Sequence, residues 1–208
     1  MKRFILILTL ISVLICAVSC GGKLKETYPD DLQTDAELKY TVILVDPDWP
    51  YYETADEAVQ ASTNVYSGKI TDISFEVIDI VTGKAARDPE STDNTRMLYT
   101  VYTVEVKNNY KGETGKTVKI ARIGGIKGYK MEDQYMLMEL SGLLDTTSKS
   151  IPVYSSKCAS PAEGNEYLFC TSRKVTDFDF VINPSQFVHS TGSSNANAII
   201  KACSASEK

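Results

Sequence analysis

Apolar and polar positions follow three successive patterns along the chain. The first is an apolar run, Phe4–Val18, broken only by Thr9 and Ser12 and preceded by Lys2 and Arg3. It is shorter than the roughly 20 residues a helix needs to cross a bilayer. A charged head, an apolar middle and small residues at the end form the pattern of a secretion signal. The second stretch, Gly21 to about Asp35, is polar and mixed in charge and reads as a tether. The third begins with the apolar, β-branched Leu38–Val45, which predicts a strand, and Pro47 and Pro50 then interrupt any regular element. Thr54 with Glu57 is a capping-box pair that predicts a short helix.

From there the period is two. Asn64–Ile80 reads as a long strand with a bulge or bend at Gly68. In the next strand Leu98, Thr100, Tyr102, Val104 and Val106 share one face, and Tyr99, Val101, Thr103, Glu105 and Lys107 the other. A Gly-rich turn leads to a strand with Val118 and Ile120 inward, ending at Gly124–Gly125. Glu166–Cys170 reads as a short buried strand, and Asp177–Ile182 as one with Phe178, Phe180 and Ile182 inward. Residues 126–152 carry Met131, Tyr135, Met138 and Leu143 near helical spacing. As a helix this segment caps the sheet; as a loop it is a lid or a binding surface. Ser194–Cys203 reads as a short helix. Three long strands in meander, a capping segment and two shorter strands predict a mainly β fold of five strands, a sandwich or small barrel, with a short leading helix.

Two resemblances sharpen these expectations. Ala17, Val18, Ser19 and Cys20 resemble the lipobox of bacterial lipoproteins. That resemblance implies that Cys20 is acylated and becomes the N-terminus, anchoring an extracytoplasmic protein to the bacterial membrane. Further along, "ADEAVQASTNVYSGKI", "YTVYTVEVKNNYKG", "VKIARIGG" and "GNEYLFC" resemble a family of uncharacterised bacterial lipoproteins. The pattern of that family is similar to OB-fold (Greek-key) barrels of the netrin or metalloproteinase-inhibitor kind. Those inhibitors use a free N-terminal cysteine to chelate zinc, so the mechanism does not carry over to an acylated Cys20. The implied organisation is a signal peptide, 1–19; a lipidated N-terminus, tether and extra strand, 20–53; an OB-like barrel domain, 54–190; and a C-terminal tail, 191–208.

Composition narrows the partners. The formal charge is −5, and no basic stripe is present, which argues against nucleic acid. Removing Lys2 and Arg3 with the signal makes the remaining chain more acidic still. Three cysteines remain after Cys16 and Cys20: Cys158, Cys170 and Cys203. An oxidising compartment favours one disulfide among them, Cys170 with Cys203 or with Cys158, or else three free thiols. There is no CxxC and no Cys/His cluster, so no metal site is expected. Asp46 and Asp48, and Asp88, Glu90 and Asp93, lack the spacing of a calcium loop and read as solvated turns. No Gly-rich phosphate loop follows a strand, and no cofactor is implied.

The only histidine is His189, and the best catalytic candidate is Cys170 as nucleophile with His189 as base. Cys170 ends an apolar strand, however, and no catalytic signature is present. The favoured class is therefore a non-catalytic, lipid-anchored binding module for envelope protein or glycan. The alternatives are a structural or inhibitory envelope protein without a small ligand, and a cysteine-dependent enzyme. On an OB-like barrel the expected binding face presents Tyr99, Thr103, Glu105 and Lys119 outward, with Arg122 at the strand end beside Gly124 and Gly125 and Tyr129 in the connection that follows. The cluster of Trp49, Tyr51 and Tyr52 either plugs the core or stacks on sugar rings.

Overall fold

A computed structural model describes residues 41–45, 50–79, 81–82, 95–144, 150–154, 161–175, 177–181, 183, 186 and 188–206. The signal, Cys20, Trp49 and Cys158 lie outside them. The elements in chain order are β1 (Thr41–Val45), α1 (Ala55–Ala61), β2 (Asn64–Asp79), β3 (Arg96–Lys111), β4 (Thr117–Ile123) and α2 (Met131–Leu140). These are followed by β5 (Ser150–Tyr154), β6 (Glu166–Thr171), β7 (Arg173–Val175), β8 (Phe178–Phe180), β9 (Val188–Ser190) and α3 (Ser194–Ser206). The fold is mainly β. Among the described residues no helix is long and apolar enough to cross a membrane.

The main sheet has the order β7-β8-β4-β3-β2-β6-β9, and β1 pairs separately with β5 in parallel. Within the main sheet the ladders are antiparallel except β4 with β8. No described ladder joins the two edge strands, so the paired sheet is open, where the sequence predicted a closed five-stranded barrel. The short strands β5, β7 and β9 were not anticipated. Strands of three residues leave too few positions to establish a period, and β5 contains Pro152.

The capping pair forms as predicted: Glu57 N donates to Thr54 Oγ1 at 3.2 Å, and Glu53 N donates to Glu57 Oε2 at 2.8 Å. The other end of α1 is closed from a distance. Lys111 Nζ donates to the carbonyls of Val59 and Ser62 at 2.5 and 2.6 Å. The Lys-Gly turn after β3 thus supplies a cation to the negative end of α1. The β2–β3 register slips at three places, one of them between Ser67 and Gly68. A Cβ on Gly68 would stand 2.5 Å from Glu105 O and from a Val104 methyl, so only glycine allows the strands to approach there.

The sheet is buried on both faces. Tyr66, Ile70, Tyr102, Val104, Ile120, Leu168 and Phe169 form the main core with Ile199 and Cys203 of α3. Across the sheet, Ile78, Tyr99, Val101, Ala121, Phe178 and Phe180 form a separate cluster. Met131 and Met138 of α2 cover Val77 and Leu98, so the 126–152 segment carries a covering helix. On β8 the expected faces are exchanged: Phe178 and Phe180 fill the second cluster, whereas the intervening Asp179 is buried beneath the core side.

Candidate functional site

Two of the three residues selected as binding anchors, Tyr99 and Arg122, are buried, whereas Glu105 and Lys119 on the same strands are exposed. Tyr99 is 5% exposed and meets Phe180 edge-on, with ring centroids 5.6 Å apart. Arg122 is 4% exposed, on the opposite face of the sheet. Its Nη1 donates to Tyr102 Oη at 3.4 Å, and its Nε is buried without a partner. Tyr129 is half-buried and its hydroxyl donates to Glu163 Oε1 at 2.8 Å, tying the start of α2 to the turn before β6. The three residues therefore do not converge. Strand alternation separates two faces of a sheet but does not reveal that buried clusters form on both.

Gly124 and Gly125 do permit a close approach, but the neighbour is the chain itself. A Cβ on Gly125 would stand 1.8 Å from Gln134 Oε1. Gln134 is fully buried. Its Oε1 accepts from Ile126 N at 3.2 Å, and its Nε2 donates to Ile126 O and Tyr129 O at 2.8 and 2.5 Å. One amide side chain thereby fixes the entry into α2.

Cys170 and His189 are not coupled. The Cys170 thiol is buried and pushed up to about 12, first by burial and then by the neighbouring Cys203, while Ser62 and Lys111 act weakly the other way. A thiol in that range is not a ready nucleophile at neutral pH. Cys170 and Cys203 stand as buried thiols in the same core cluster; their candidate partner Cys158 lies outside the described residues. Among the described residues no group of three His, Cys, Asp or Glu side chains is arranged to hold a metal ion.

His189 instead lines a cavity of about 320 Å³ bounded by the 51–55 segment, α1 and α3. It is lined by Tyr51, Tyr52, Glu53, Gln186, His189 and Asn195 together with the apolar side chains of Ala58, Ala198 and Ile199. The site is built by amide side chains acting as backbone. Tyr52 N donates to Gln186 Oε1 at 2.9 Å, and Gln186 Nε2 donates to Tyr52 O at 2.6 Å, which reproduces a β-bridge. Asn183 Nδ2 donates to Pro50 O and to Gln186 Oε1, both at 2.8 Å. These bonds hold the aromatic segment against the region before β9.

His189 Nε2 lies 2.5 Å from Gln186 O. A carbonyl only accepts, so Nε2 carries the hydrogen and Nδ1 is left as an acceptor. Burial holds the imidazole below its ordinary range, partly offset by the Gln186 carbonyl. The neutral ring is therefore the resting form at pH 7. Tyr51, 75% exposed, stands at the cavity as an unburied aromatic. Of these residues the sequence singled out Tyr51 and Tyr52 as aromatic and His189 as a lone histidine. Gln186, Asn183 and Asn195 carried no signal, because three separate segments meet here only in the folded chain. No protein-family model matches the chain, and no curated protein matches it.

Proposed function

We propose that the chain is a lipid-anchored cell-envelope binding module whose cavity at Tyr51, Gln186 and His189 receives a neutral glycan. The observation that carries this reading is the lining of the cavity. It combines an exposed tyrosine, a neutral histidine offering an acceptor, an asparagine, a glutamine and one exposed carboxylate, Glu53, with no lysine or arginine. An apolar lining with a few polar groups held in place is the usual build of a small-ligand site. A neutral polyhydroxylated ligand matches donors and acceptors without requiring a countercharge, and a tyrosine ring offers its apolar face to a sugar. The lipobox-like sequence at Cys20 is the basis for anchoring.

The finer fold belongs to the same reading. β6 and β7 are separated by Ser172 alone, and Ser172 N donates to Phe180 O at 3.0 Å. The chain thus passes from pairing with β2 to pairing with β8, which itself lies parallel to β4. This supports an OB-like ring completed through the continuous chain.

Two experiments test the proposal. The purified full chain is passed over a panel of neutral oligosaccharides. Saturable binding is expected, with Tyr51→Ala and His189→Ala each weakening it at least tenfold; absence of binding across the panel refutes the glycan assignment. Cys20→Ala is expected to abolish fatty-acid incorporation in cells, and persistent labelling refutes the anchor.

A further inference from the structure

The cavity at Tyr51 and His189 holds polar groups of two kinds, those consumed in building it and those left for a ligand. Gln186 is consumed: its Oε1 accepts from Tyr52 N and Asn183 Nδ2, and its Nε2 donates to Tyr52 O. His189 is half consumed, since its Nε2 donates to Gln186 O. Its Nδ1 has no partner among the described residues and is not among the side-chain atoms sealed from solvent. Asn195 lines the same cavity, is exposed, and its amide has no partner among the described residues. The other polar side chains at the start of α3 are spent: Ser193 Oγ accepts from Ala196 N at 3.2 Å, and Asn197 Nδ2 donates to Gly192 O at 3.4 Å.

The helical period sets what stands beside that free amide. Asn195, Ala198 and Ile199 are spaced i, i+3 and i+4, so they share one face of α3. All three line the cavity, and so do Ala55 and Ala58, spaced i, i+3 on α1, which packs against α3. The lining therefore sets a free amide and a free acceptor among alanine methyls from two helices. An acetamido group carries a carbonyl acceptor, an N–H donor and a methyl. The carbonyl matches Asn195 Nδ2, the N–H matches His189 Nδ1, and the methyl matches the alanines. A hydroxyl in its place serves the polar groups but leaves the apolar lining in water. Glu53, the charged member of the lining, disfavours acidic sugars.

We propose that the cavity selects sugars bearing an N-acetylated amine, with Asn195 Nδ2 and His189 Nδ1 bonding the acetamide and Ala58 and Ala198 meeting its methyl. The selection rests on the glycan reading above and narrows it from neutral sugars in general to one substituent. The test is a calorimetric titration of the full chain with three disaccharides. These are N,N′-diacetylchitobiose, cellobiose with hydroxyls in place of the acetamides, and chitobiose with free amines. Saturable binding of diacetylchitobiose is expected, at least tenfold tighter than either of the others. Asn195→Ala should cut the preference over cellobiose to below threefold. Ala198→Leu, which adds bulk to the apolar lining, should weaken diacetylchitobiose at least tenfold. Both positions are exposed on α3, so neither change threatens the core. Asp133→Asn, at an exposed acid on α2, should leave every affinity unchanged. The proposal is overturned by a smaller preference over cellobiose, or by chitobiose binding as tightly, which would mark attraction of an ammonium to Glu53. It is also overturned if folded Asn195→Ala keeps the preference, if Ala198→Leu binds as the parent does, or if Asp133→Asn loses as much. Should diacetylchitobiose not bind, the selection falls, and the wider oligosaccharide panel decides the glycan reading by itself. That reading stands if another neutral member binds with dependence on Tyr51, and falls if none does.

Discussion

Cys170 illustrates how burial decides the chemistry of a single residue. Its position at the end of an apolar strand already favoured a packing role, and the fold places Cys203, Ser62 and Lys111, not His189, around its thiol. The consequence is a pH dependence. The folded chain keeps a proton up to about pH 12 that the unfolded chain releases near 9.0. The stabilisation is therefore complete below pH 9 and is lost as pH rises through 12, by at most about 4 kcal/mol. Tyr66, raised above its ordinary 10.0 by burial and then by Asp179, adds to the fall in the same direction. Urea unfolding between pH 8 and 12 should show declining stability, and Cys170→Ala should flatten the decline. A slope unaltered by the substitution would show that the thiol does not sense the fold. Arg122 and Tyr99 belong to the same scale. Residue type suggested interface anchors, and nothing local to them announces the packing that buries both.

At the scale of elements, the glycines and the Lys-Gly turn were visible as motifs but their partners were not. Gly125 faces Gln134 of α2, and Lys111 closes α1 across a long sequence separation. Gly125→Ala should cost about 1–3 kcal/mol, because the added methyl must displace a fully bonded buried amide. Unchanged thermal stability would mean that the α2 entry yields freely. Lys111→Met keeps the length of the side chain and removes the charge. It should cost about 0.5–2 kcal/mol, with a loss that persists in high salt because the ammonium is partly buried. A variant as stable as the parent would show that water caps α1 equally well. α1 was legible from its capping box, whereas the apolar spacing of α2 left its segment open between helix and loop. The docking of both was not legible, since Gln134 and Lys111 act on segments far from them in sequence.

For the whole molecule, the question is whether the sheet behaves as one cooperative unit. The chain turns from one set of partners to another at Ser172, whose N–H and hydroxyl both donate to Phe180 O, at 3.0 and 3.2 Å, while its carbonyl accepts from Thr63 Oγ1 at 2.6 Å. Ser172→Pro removes both donors and should lower stability by about 1–3 kcal/mol, with unfolding still a single transition. A separate early loss of the β7–β8 end, seen as two transitions, would show that the junction does not couple the sheet. α3 is also integral at this scale: Ala196, Ile199, Ala202 and Cys203 are buried in the main core, although the tail was read only as an appended helix.

The long strands and the capped helix were legible in the sequence alone, because strand alternation, capping pairs and turn glycines are local steric and hydrogen-bonding requirements that each segment satisfies by itself. The three long strands, α1 and α3 lie where those patterns predict, and packing decided in favour of a helix the 126–152 segment that the pattern left open between helix and loop. Tertiary structure alone decided which faces are covered. Phe178 and Phe180 seal Tyr99, the core side takes in Arg122 and Asp179, and Gln186 and Asn183 fasten the aromatic segment beside His189. Burial and cavity walls are relations between segments far apart in sequence, and their cost or gain arises only when packing removes water between them.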